Sequence, residues 1–354
     1  MEAIDLSEVR IVRSGLTVLD SVDLTVSVGE RFCLIGSSGS GKTSLLRVVA
    51  GLDTPDHGRV LVYGSPVRGP RRQVTMIFSE DNVYDHLDVT GNLDFPFRVT
   101  HDNPGRAGQV TDTADLFSLH RLMDSKPETL SAGQRRVVAA ARALVRPEIE
   151  IVLMDEPLVG TDPNRRELLV AAVMSRADLT VVMATNDPAD AFRWASRVAV
   201  LTGGVVAQVG TPDGVYREPD SLTVAELMGD LNRIPAKIVS HHGWAIEVGG
   251  SILHLDPVPV GLSLGQRVVV GVRPNALIPA SPGVPFDRSL RTTVGRVEPL
   301  GSRSRVLFGL GDRQGVAFAA EVEADKHAGV GGRMNWLLPP AAIRLYDPVS
   351  GRTL

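Results

Sequence analysis

The stretch that decides the fold runs from Phe32 to Thr43 and reads Phe-Cys-Leu-Ile-Gly-Ser-Ser-Gly-Ser-Gly-Lys-Thr. Its first four residues form an apolar run that predicts a buried strand, and the run Ser44–Ala50 predicts a helix. Between them, the glycines permit backbone conformations that aim successive N–H groups at a bound anion. The start of the helix adds the positive end of its dipole. Strand, glycine-rich loop and helix in this order predict a phosphate-binding loop.

This loop matches the pattern G-x-x-x-x-G-K-[ST] at residues 36–43. We expect the Lys42 ammonium to reach the β- and γ-phosphates of a nucleotide and the Thr43 hydroxyl to bind Mg²⁺. The alternative is a glycine-rich turn with a chance lysine, which the flanking strand and helix disfavour. The predicted nucleotide-binding residues of the loop are Gly36, Ser37, Ser38, Gly39, Ser40, Gly41, Lys42, Thr43 and Ser44.

A second apolar run, Ile149–Met154, ends in the carboxylate pair Asp155 and Glu156. The carboxyl ends of strands are where α/β folds bind ligands. We expect Asp155 to hold Mg²⁺ through water, and Glu156 to orient or deprotonate the water that attacks the γ-phosphate. Alone, such a pair is often an acidic loop after a strand. Together with the phosphate loop it indicates nucleotide hydrolysis.

Between these motifs lies the segment Leu130-Ser-Ala-Gly-Gln134, called the signature segment below, and a helical run follows it. Ser131 and the backbone amides at the start of this helix predict a second anion pocket. One chain does not need two phosphate pockets, so we expect two chains to meet head to tail, each offering this pocket to the nucleotide of the other. The predicted residues of the pocket are Ser131, Ala132, Gly133 and Gln134.

Short β-rich runs alternate with helical runs through the first two thirds of the chain, which predicts an α/β domain with a largely parallel sheet. The predicted strands are Arg31–Ile35, Val60–Tyr63, Val74–Phe78, Ile149–Met154, Thr180–Ala184 and Arg197–Leu201. The predicted helices are Lys42–Ala50, Gln134–Leu144, Arg165–Ser175 and Pro188–Ala195. Helical signals without a strong strand from about residue 83 predict a helical subdomain over about residues 83–145.

The character of the chain changes after about residue 230, where it becomes rich in Val, Gly and Pro. The pattern predicts a small β-barrel or sandwich. Its predicted strands are Ala245–Val248, Arg267–Val272, Thr293–Val297 and Arg305–Leu310. A length of 354 residues also exceeds one average domain. We therefore predict a nucleotide-binding domain over residues 1–230 and a β domain over residues 231–354.

Composition narrows the function. A net charge of −4 argues against general nucleic-acid binding, for which a basic surface is expected. The single cysteine, Cys33, excludes a disulfide framework and fits a reducing cytoplasm. No stretch approaches the roughly 18 to 20 apolar residues that span a bilayer, and the acidic N-terminus lacks the pattern of a signal peptide. We therefore expect any membrane association to occur through a partner.

Four segments together resemble the ATPase subunits of ABC transporters, and they are Gly36–Thr43, Leu130–Gln134, Asp155–Pro157 and Leu158–Asp162. They follow the order and spacing of that family, and matching elements run through about residues 10–230. The resemblance implies ATP and Mg²⁺ as cofactors and adds Asp162 to the nucleotide site. In the signature segment, Ala132 replaces the more usual glycine, and we expect the pocket to persist.

The tail narrows the resemblance to importer ATPases, through Gly271–Pro274, Val294–Gly301 and Arg344–Asp347. Those importers serve sugars, glycerol phosphate, polyamines, iron or oxyanions. Their C-terminal extension is an oligonucleotide-binding-like β-barrel that serves dimer contacts and regulation rather than nucleic acid. The run Leu87–Phe97 resembles the segment by which such subunits contact the membrane subunits.

The resemblance also implies partners and a location. The implied partners are transmembrane permease subunits, a second ATPase subunit that is identical or different, and, indirectly, an extracytoplasmic solute-binding protein. Nucleic acid is not among them. The implied location is the cytoplasmic face of the cell membrane, as a peripheral protein.

Three positions depart from the family's pattern. Ser79 follows the strand Val74–Phe78, where the family has a glutamine that contacts Mg²⁺ and the attacking water. Asn186 follows the strand Thr180–Ala184, where the family has a histidine at the γ-phosphate; an amide can donate a hydrogen bond but carries no charge. Arg13 is the nearest residue to replace an aromatic side chain that stacks on adenine.

These departures predict that nucleotide binding is kept and turnover is reduced, since losing one positioning contact commonly costs about 10² to 10³ in rate. The leading hypothesis is an ATP-hydrolysing subunit that powers solute import by ATP-driven dimer closure against membrane subunits. The alternative is an ATP-binding but hydrolysis-impaired regulatory subunit paired with a second, competent ATPase. Ser79 and Asn186 favour that alternative, and the intact Glu156 opposes it.

Overall fold

The computed structural model divides into two compact units, Met1–Val215 and Tyr216–Leu354. It describes residues 1–79, 82–100, 105–157, 162–240, 244–248, 251–254, 261–280, 289–310 and 318–354. The boundary between the two units lies before residue 230, the position near which the composition of the sequence changes. The short helix that follows Ser221 belongs to the second unit, where its Ala225 carbonyl accepts a hydrogen bond from Arg273 at 2.8 Å.

The first unit is an α/β structure. Its strands within the described residues are β1 (Glu2–Arg13), β2 (Leu16–Ser27), β3 (Arg31–Ile35), β4 (His57–Val62), β5 (Ser65–Pro66), β6 (Val74–Ile77), β7 (Ile151–Asp155), β8 (Thr180–Thr185), β9 (Arg197–Thr202) and β10 (Val205–Gly210). Its helices are α1 (Lys42–Val49), α2 (Val89–Thr100), α3 (Arg106–Leu116), α4 (Ala132–Leu144), α5 (Pro163–Met174), α6 (Pro188–Trp194) and α7 (Pro212–Arg217), the last of which crosses the division. Every strand and helix predicted for this part of the chain has an observed counterpart.

A six-stranded sheet forms the centre of this unit, in the order β10-β9-β3-β8-β7-β6. All neighbours in it are parallel except the antiparallel pair β9 and β10. Because β8 lies between β3 and β7, the loops after these three strands meet at one edge of the sheet. This order, rather than the order along the chain, decides which segments can form a site together.

Both faces of the central sheet are buried, which is why its strands are continuous apolar runs. Phe32, Leu34 and Leu153 lie in one hydrophobic core, with residues of α1 and of the N-terminal sheet. The adjacent positions Val152 and Met154 lie in a second core, with residues of α2, α4 and α5. Successive side chains of a strand point to opposite faces, so each strand supplies both cores. Only the ends of these strands are open to a ligand.

A four-stranded sheet of order β2-β1-β4-β5 covers one side of the first core. Its long hairpin, β1 with β2, alternates buried apolar residues with exposed polar ones. From the sequence, only Val60–Tyr63 of this sheet was predicted, because the polar face of the hairpin interrupts any continuous apolar run.

In its described residues, the second unit consists of β strands, the end of α7, the helix α8 (Leu222–Leu227) and short 3₁₀ turns. Its strands within the described residues are β11 (Asn232–Ser240), β12 (Trp244–Val248), β13 (Ser251–His254), β14 (Arg267–Val272), β15 (Ile278–Pro279), β16 (Ser289–Leu300), β17 (Arg303–Leu310), β18 (Phe318–Glu323), β19 (Arg333–Leu337) and β20 (Arg344–Tyr346). They form two five-stranded antiparallel sheets, of order β13-β12-β11-β14-β20 and β15-β19-β16-β17-β18. The predicted fold class, an α/β ATPase domain followed by a small all-β domain, is confirmed.

The two sheets of the second unit share one hydrophobic core, in which Phe308 stacks on the fully buried Trp336. Asn232 joins the sheets, because its amide accepts a hydrogen bond from the Ala319 N–H and donates one to the Ala319 carbonyl, both at 2.8 Å. Asn232 is 4% and Ala319 is 5% exposed. The side chain of Asn232 therefore links β11 of one sheet to the backbone of β18 in the other.

We expect Asn232→Ala to lower the free energy of unfolding by about 2 to 4 kcal/mol, because it leaves the buried N–H and C=O of Ala319 without partners. Denaturant unfolding of the full chain, followed by tryptophan fluorescence, measures the change. Asn275→Ala is the matched control, since Asn275 is exposed. Equal losses in the two variants would contradict the role assigned to Asn232.

Candidate functional site

Three segments that the sequence singled out separately meet at the carboxyl edge of the central sheet. β3 leads into the phosphate loop, β7 leads into Glu156, and β8 leads into Asn186. Each of these strands pairs in parallel with β8 or is β8 itself. The sheet therefore brings the phosphate loop and the carboxylates together, as α/β folds do at their ligand sites.

The phosphate loop requires glycine at specific positions. A Cβ on Gly36 would lie 2.3 Å from the Leu201 carbonyl oxygen. Gly41 has a φ of +106°, and a Cβ there would lie 2.6 Å from the Leu19 side chain. Gly39 also has a positive φ, of +80°. The loop thus follows a path close to neighbouring backbone that a larger residue blocks.

Lys42 is the first residue of α1 and is only 5% exposed. Its Nζ donates hydrogen bonds to the carbonyls of Gly36 at 2.7 Å and Ser37 at 3.0 Å. It also lies 3.8 Å from Oε1 of Glu156. Burial lowers the pKa of this ammonium, while the carboxylates of Glu156 and Asp155 act in the opposite direction. A buried cation at the mouth of a loop of N–H groups is suited to bind phosphate.

Asp155 ends β7 and is 5% exposed. Its Oδ2 accepts a hydrogen bond from the Thr43 hydroxyl at 2.9 Å. Its Oδ1 is buried and has no hydrogen-bond partner within the described part of the chain. Burial raises the pKa of this carboxyl, and the Thr43 hydrogen bond lowers it in part. A hydroxyl beside a buried carboxylate oxygen without a partner fits a hard divalent cation such as Mg²⁺.

Glu156 has a φ of +45°, the left-handed backbone region that is uncommon outside glycine. Its N–H donates to the Ala184 carbonyl of β8 at 2.9 Å, so the neighbouring strand holds this conformation in place. Its side chain is 25% exposed. Such backbone strain clusters at functional sites, where it fixes a side chain's direction. Here it directs a partly exposed carboxylate to the side of Lys42.

Ser79 and Asn186, which differ from the family's pattern, are both exposed. Ser79 lies two residues after β6, the edge neighbour of β7. Asn186 directly follows β8, between Thr185 and Asp187. No sequence motif marks Thr185 and Asp187 as functional, because Thr and Asp after a strand usually form an ordinary turn and helix cap.

The signature segment is shaped by α4 and not by the strands of the phosphate site. Ser131 caps this helix: its Oγ accepts a hydrogen bond from the Gln134 N–H at 3.3 Å, and Gln134 Oε1 accepts one from the Ser131 N–H at 2.8 Å. This capping box fixes the first turn. Ala132 and Gly133 are the first two residues of the helix, whose N–H groups have no intrahelical partner.

Arg13 and Asp162 lie on other segments. Arg13 ends β1, and its guanidinium lies 3.5 Å from an oxygen of Asp53 and 3.8 Å from one of Asp56. The Arg13 side chain is 47% exposed. Asp162 precedes α5, and residues 158–161 of the same predicted motif lie outside the described residues.

Among the helices that the structure describes, none is long and apolar enough to cross a membrane. In the same part of the chain, no group of three or more His, Cys, Asp or Glu side chains forms a ready-made metal site. A Mg²⁺ ion at Asp155 would therefore take most of its ligands from phosphate and water, as is usual for this ion.

Comparison with known proteins gives concordant matches. The family model described as ABC transporter matches residues 19–159. The sn-glycerol-3-phosphate import ATP-binding protein of Chromohalobacter salexigens is 33% identical over 96% of this chain and 94% of its own length. The sulfoquinovosyl glycerol transport ATP-binding protein of Agrobacterium fabrum is 32% identical over 96% of each chain. The solved structure of cbiO1 from Clostridium perfringens, part of the ABC transporter complex cbiONQ, has the same fold over 61% of this chain and 91% of its own, with 24% identity and a TM-score of 0.55.

Fold and site define a P-loop ATPase, with a phosphate loop, a buried lysine and two carboxylates at one sheet edge. The relatives that match over nearly the whole chain identify the family within this class. The chain belongs to the ATP-binding subunits of ABC transporters, of the type that powers import. It binds ATP, and the hydrolysis of ATP is coupled to transport through membrane permease subunits. The predicted family, function and enzyme class are confirmed.

We expect Asp155→Asn to stabilise the nucleotide-free chain by roughly 1 kcal/mol. Burial raises the pKa of the Asp155 carboxyl, so its ionised form opposes folding at neutral pH. Thermal unfolding in the presence of EDTA measures this gain. Asp178→Asn is the control, because a hydrogen bond from Arg176 lowers the pKa of that exposed carboxyl and its removal brings no gain. A loss of stability in Asp155→Asn would contradict this account.

Proposed function

We propose that the edge formed by β3, β8 and β7 binds ATP with Mg²⁺ and hydrolyses it to ADP and phosphate. The observation that carries this proposal is the convergence on the buried Lys42 of the phosphate loop and the Glu156 carboxylate, with the Thr43–Asp155 pair beside them. The N–H groups of the loop and the Lys42 ammonium bind the phosphates. Thr43 and Asp155 hold Mg²⁺, which supplies positive charge to the phosphate oxygens when bound.

Glu156 is the proposed general base. Hydrolysis requires a water molecule in line with the γ-phosphate and an acceptor for its proton. The Glu156 carboxylate is partly exposed, fixed by its backbone and close to Lys42, which supports this role. Its proton acceptance lets the water oxygen bond to the γ-phosphorus while the bond to the β-phosphate oxygen breaks.

Ser79 and Asn186 are the proposed replacements for the usual polar contacts to the attacking water and the γ-phosphate. A serine hydroxyl and an asparagine amide can each donate a hydrogen bond. The serine side chain is shorter than glutamine, and the amide is neutral. We therefore expect slow turnover with normal ATP affinity. We place the base of the nucleotide near Arg13, whose guanidinium can stack on it.

The signature segment is proposed to act on the nucleotide of a second ATPase subunit. Ser131 and the first N–H groups of α4 form a helix start that can bind an anion. None of β3, β7 and β8, the strands of the proposed phosphate site, directly precedes this helix in the sequence. Asp162 contributes at the same interface. The second subunit is either identical or different, and concentration dependence separates the two.

A cleft beside α2 and α4 is the proposed contact for the permease subunits, together with Leu87–Phe97. Its volume is about 660 Å³. Tyr84 lines it, with its ring 4.2 Å from that of Phe95 and 4.6 Å below the Arg142 guanidinium. The buried Asn92 fixes Tyr84, accepting its N–H at 2.8 Å and donating to its carbonyl at 3.1 Å. An aromatic cleft with a guanidinium suits a helix that carries an acceptor group.

The remaining proposals follow from the relatives. We place the chain at the cytoplasmic face of the membrane, as a peripheral subunit of a complex that an extracytoplasmic solute-binding protein supplies. Relatives named for sn-glycerol-3-phosphate and sulfoquinovosyl glycerol favour a hydroxylated, glycerol- or sugar-like solute. No relative named here is described as a regulatory subunit, so the hydrolysis-impaired alternative gains no support from them.

We expect the Mg²⁺-dependent ATPase activity of the purified chain to rise faster than linearly with protein concentration and to vanish in Glu156→Gln. The reason is that a dimer completes each site and Glu156 accepts the proton. Phosphate release across a range of chain concentrations measures it. ATP binding without turnover at any concentration would instead point to a different, competent partner ATPase.

We expect Tyr84→Ala combined with Phe95→Ala to reduce recovery of the chain with its membrane complex by tenfold or more, at roughly the 2 kcal/mol cost of an interface hot spot. Co-purification from detergent-solubilised membranes measures the loss, and ATP affinity should stay unchanged. Phe192→Ala is the control, because Phe192 is 45% exposed on α6 and does not line the cleft. Equal recovery of the two variants would rule out this cleft as the contact.

A further inference from the structure

The loop that carries Asn186 is closed by a hydrogen bond that spans it. The Thr185 hydroxyl accepts the N–H of Asp187 at 3.0 Å, so the residues before and after Asn186 are tied together. The same hydroxyl donates to Oδ2 of Asp190 at 2.9 Å. Thr185 is 3% and Asp190 is 2% exposed. A buried hydroxyl therefore holds the backbone around Asn186, while the side chain of Asn186 is exposed.

Arg166 of α5 contacts the same group of residues. Its guanidinium donates to Oδ1 of Asp190 and lies 3.4 Å from Oδ2 of Asp187. Both oxygens of the buried Asp190 carboxylate are thus used, one by Arg166 and one by Thr185. The position of the Asp190 carboxylate is therefore strongly fixed. Loss of either hydrogen bond would leave one of its buried oxygens without a partner, which is costly.

The network adjoins the proposed general base through β8. The carbonyl of Ala184, which directly precedes Thr185, accepts the N–H of Glu156 at 2.9 Å. Glu156 and Asn186 are therefore held by consecutive residues of one strand. A shift of Thr185 would move Asn186 relative to the base.

We propose that Thr185, Asp190 and Arg166 form a positioning network that holds Asn186 in register with Glu156 for hydrolysis. This inference rests on the proposed role of Asn186 at the γ-phosphate. A neutral amide makes one directed hydrogen bond and has no charge to act over distance, so its orientation decides how well it works. The network supplies that orientation through the backbone on both sides of Asn186.

The chain contains matched groups that serve only structure. Thr180, at the opposite end of β8, is fully buried, and its hydroxyl accepts the Gly29 N–H at 2.9 Å. Arg197 pairs at 3.1 Å with Glu30, whose side chain is 8% exposed, at the opposite edge of the sheet. These residues repeat the chemistry of Thr185 and of the Arg166–Asp190 pair away from the nucleotide edge. They allow a loss of stability to be separated from a loss of positioning.

The test measures kcat and the ATP dissociation constant of the full chain in Thr185→Val, Arg166→Lys and Asn186→Ala, with Thr180→Val and Arg197→Lys as controls. We expect Thr185→Val to lower kcat between about 10- and 100-fold, the range for a small misplacement of a reacting group. ATP affinity should be unchanged, and Thr185→Ser should restore kcat because it restores the hydroxyl. The controls should lose stability but keep kcat.

A double-mutant cycle identifies the residue through which the network acts. If Thr185 works through Asn186, then Thr185→Val causes little further loss of kcat in an Asn186→Ala background. Equal fold-losses in the two backgrounds, or equal effects of Thr185→Val and Thr180→Val on kcat, would overturn the proposal. If Asn186→Ala itself leaves kcat unchanged, the role proposed for Asn186 fails and the network inference falls with it.

A second measurement does not depend on turnover. Amide hydrogen exchange at Asp187 reports the hydrogen bond to Thr185 directly. We expect faster exchange at Asp187 in Thr185→Val and Arg166→Lys and unchanged exchange in Thr180→Val. Unchanged exchange in all of these variants would show that the network does not hold this loop.

Discussion

The Lys42 ammonium is buried where β3 turns into α1, and a buried cation is stable only where acceptors surround it. Two carbonyls of its own loop supply part of this environment, and the carboxylates of Asp155 and Glu156, at the end of β7, contribute to it as well. Those carboxylates reach Lys42 only because β7 lies one strand away from β3, with β8 between them. The strand order places the carboxylates beside this charge, and the glycines of the loop allow its carbonyls to reach the ammonium.

Two polar atoms at the same edge have no hydrogen-bond partner within the described residues. Ser40 Oγ and Asp155 Oδ1 are buried without hydrogen-bond partners in the described part of the chain, and Glu156 has a strained backbone. Each feature costs stability, and each fits a ligand that brings phosphate oxygens and a divalent cation. Sites shaped for a ligand commonly trade stability for function in this way. In the proposed site, bound nucleotide and Mg²⁺ would supply partners for these atoms.

We propose that Ser79 and Asn186 change the chemistry of this edge without changing its architecture. Both residues lie at strand ends that the central sheet positions regardless of the side chain. The residues on either side of Asn186 are joined by the Thr185 hydroxyl, which also bonds the buried Asp190, and Asp190 pairs with Arg166. A weaker contact group therefore remains in a well-defined place. We propose that this allows the chain to bind nucleotide without the family's usual polar residues at these two positions.

Much of the site was predictable from sequence, because its elements are encoded locally. The run from Phe32 to Thr43 contains its own strand, turn and helix start, and β3 and β14 have the bounds predicted for them. The capping of α4 by Ser131 is equally local. In contrast, the N-terminal hairpin was missed, since half of each strand faces solvent.

What only the tertiary structure decided is which distant residues meet. Thr43 bonds Asp155 across 112 positions, and Arg166 bonds Asp190 across 24 positions and from a different element. Arg13 lies beside two aspartates rather than standing free. Periodicity and motif spacing carry information about neighbours along a strand or helix. They do not carry the order of strands in a sheet, and that order brings the carboxylates of Asp155 and Glu156 to Thr43 and Lys42.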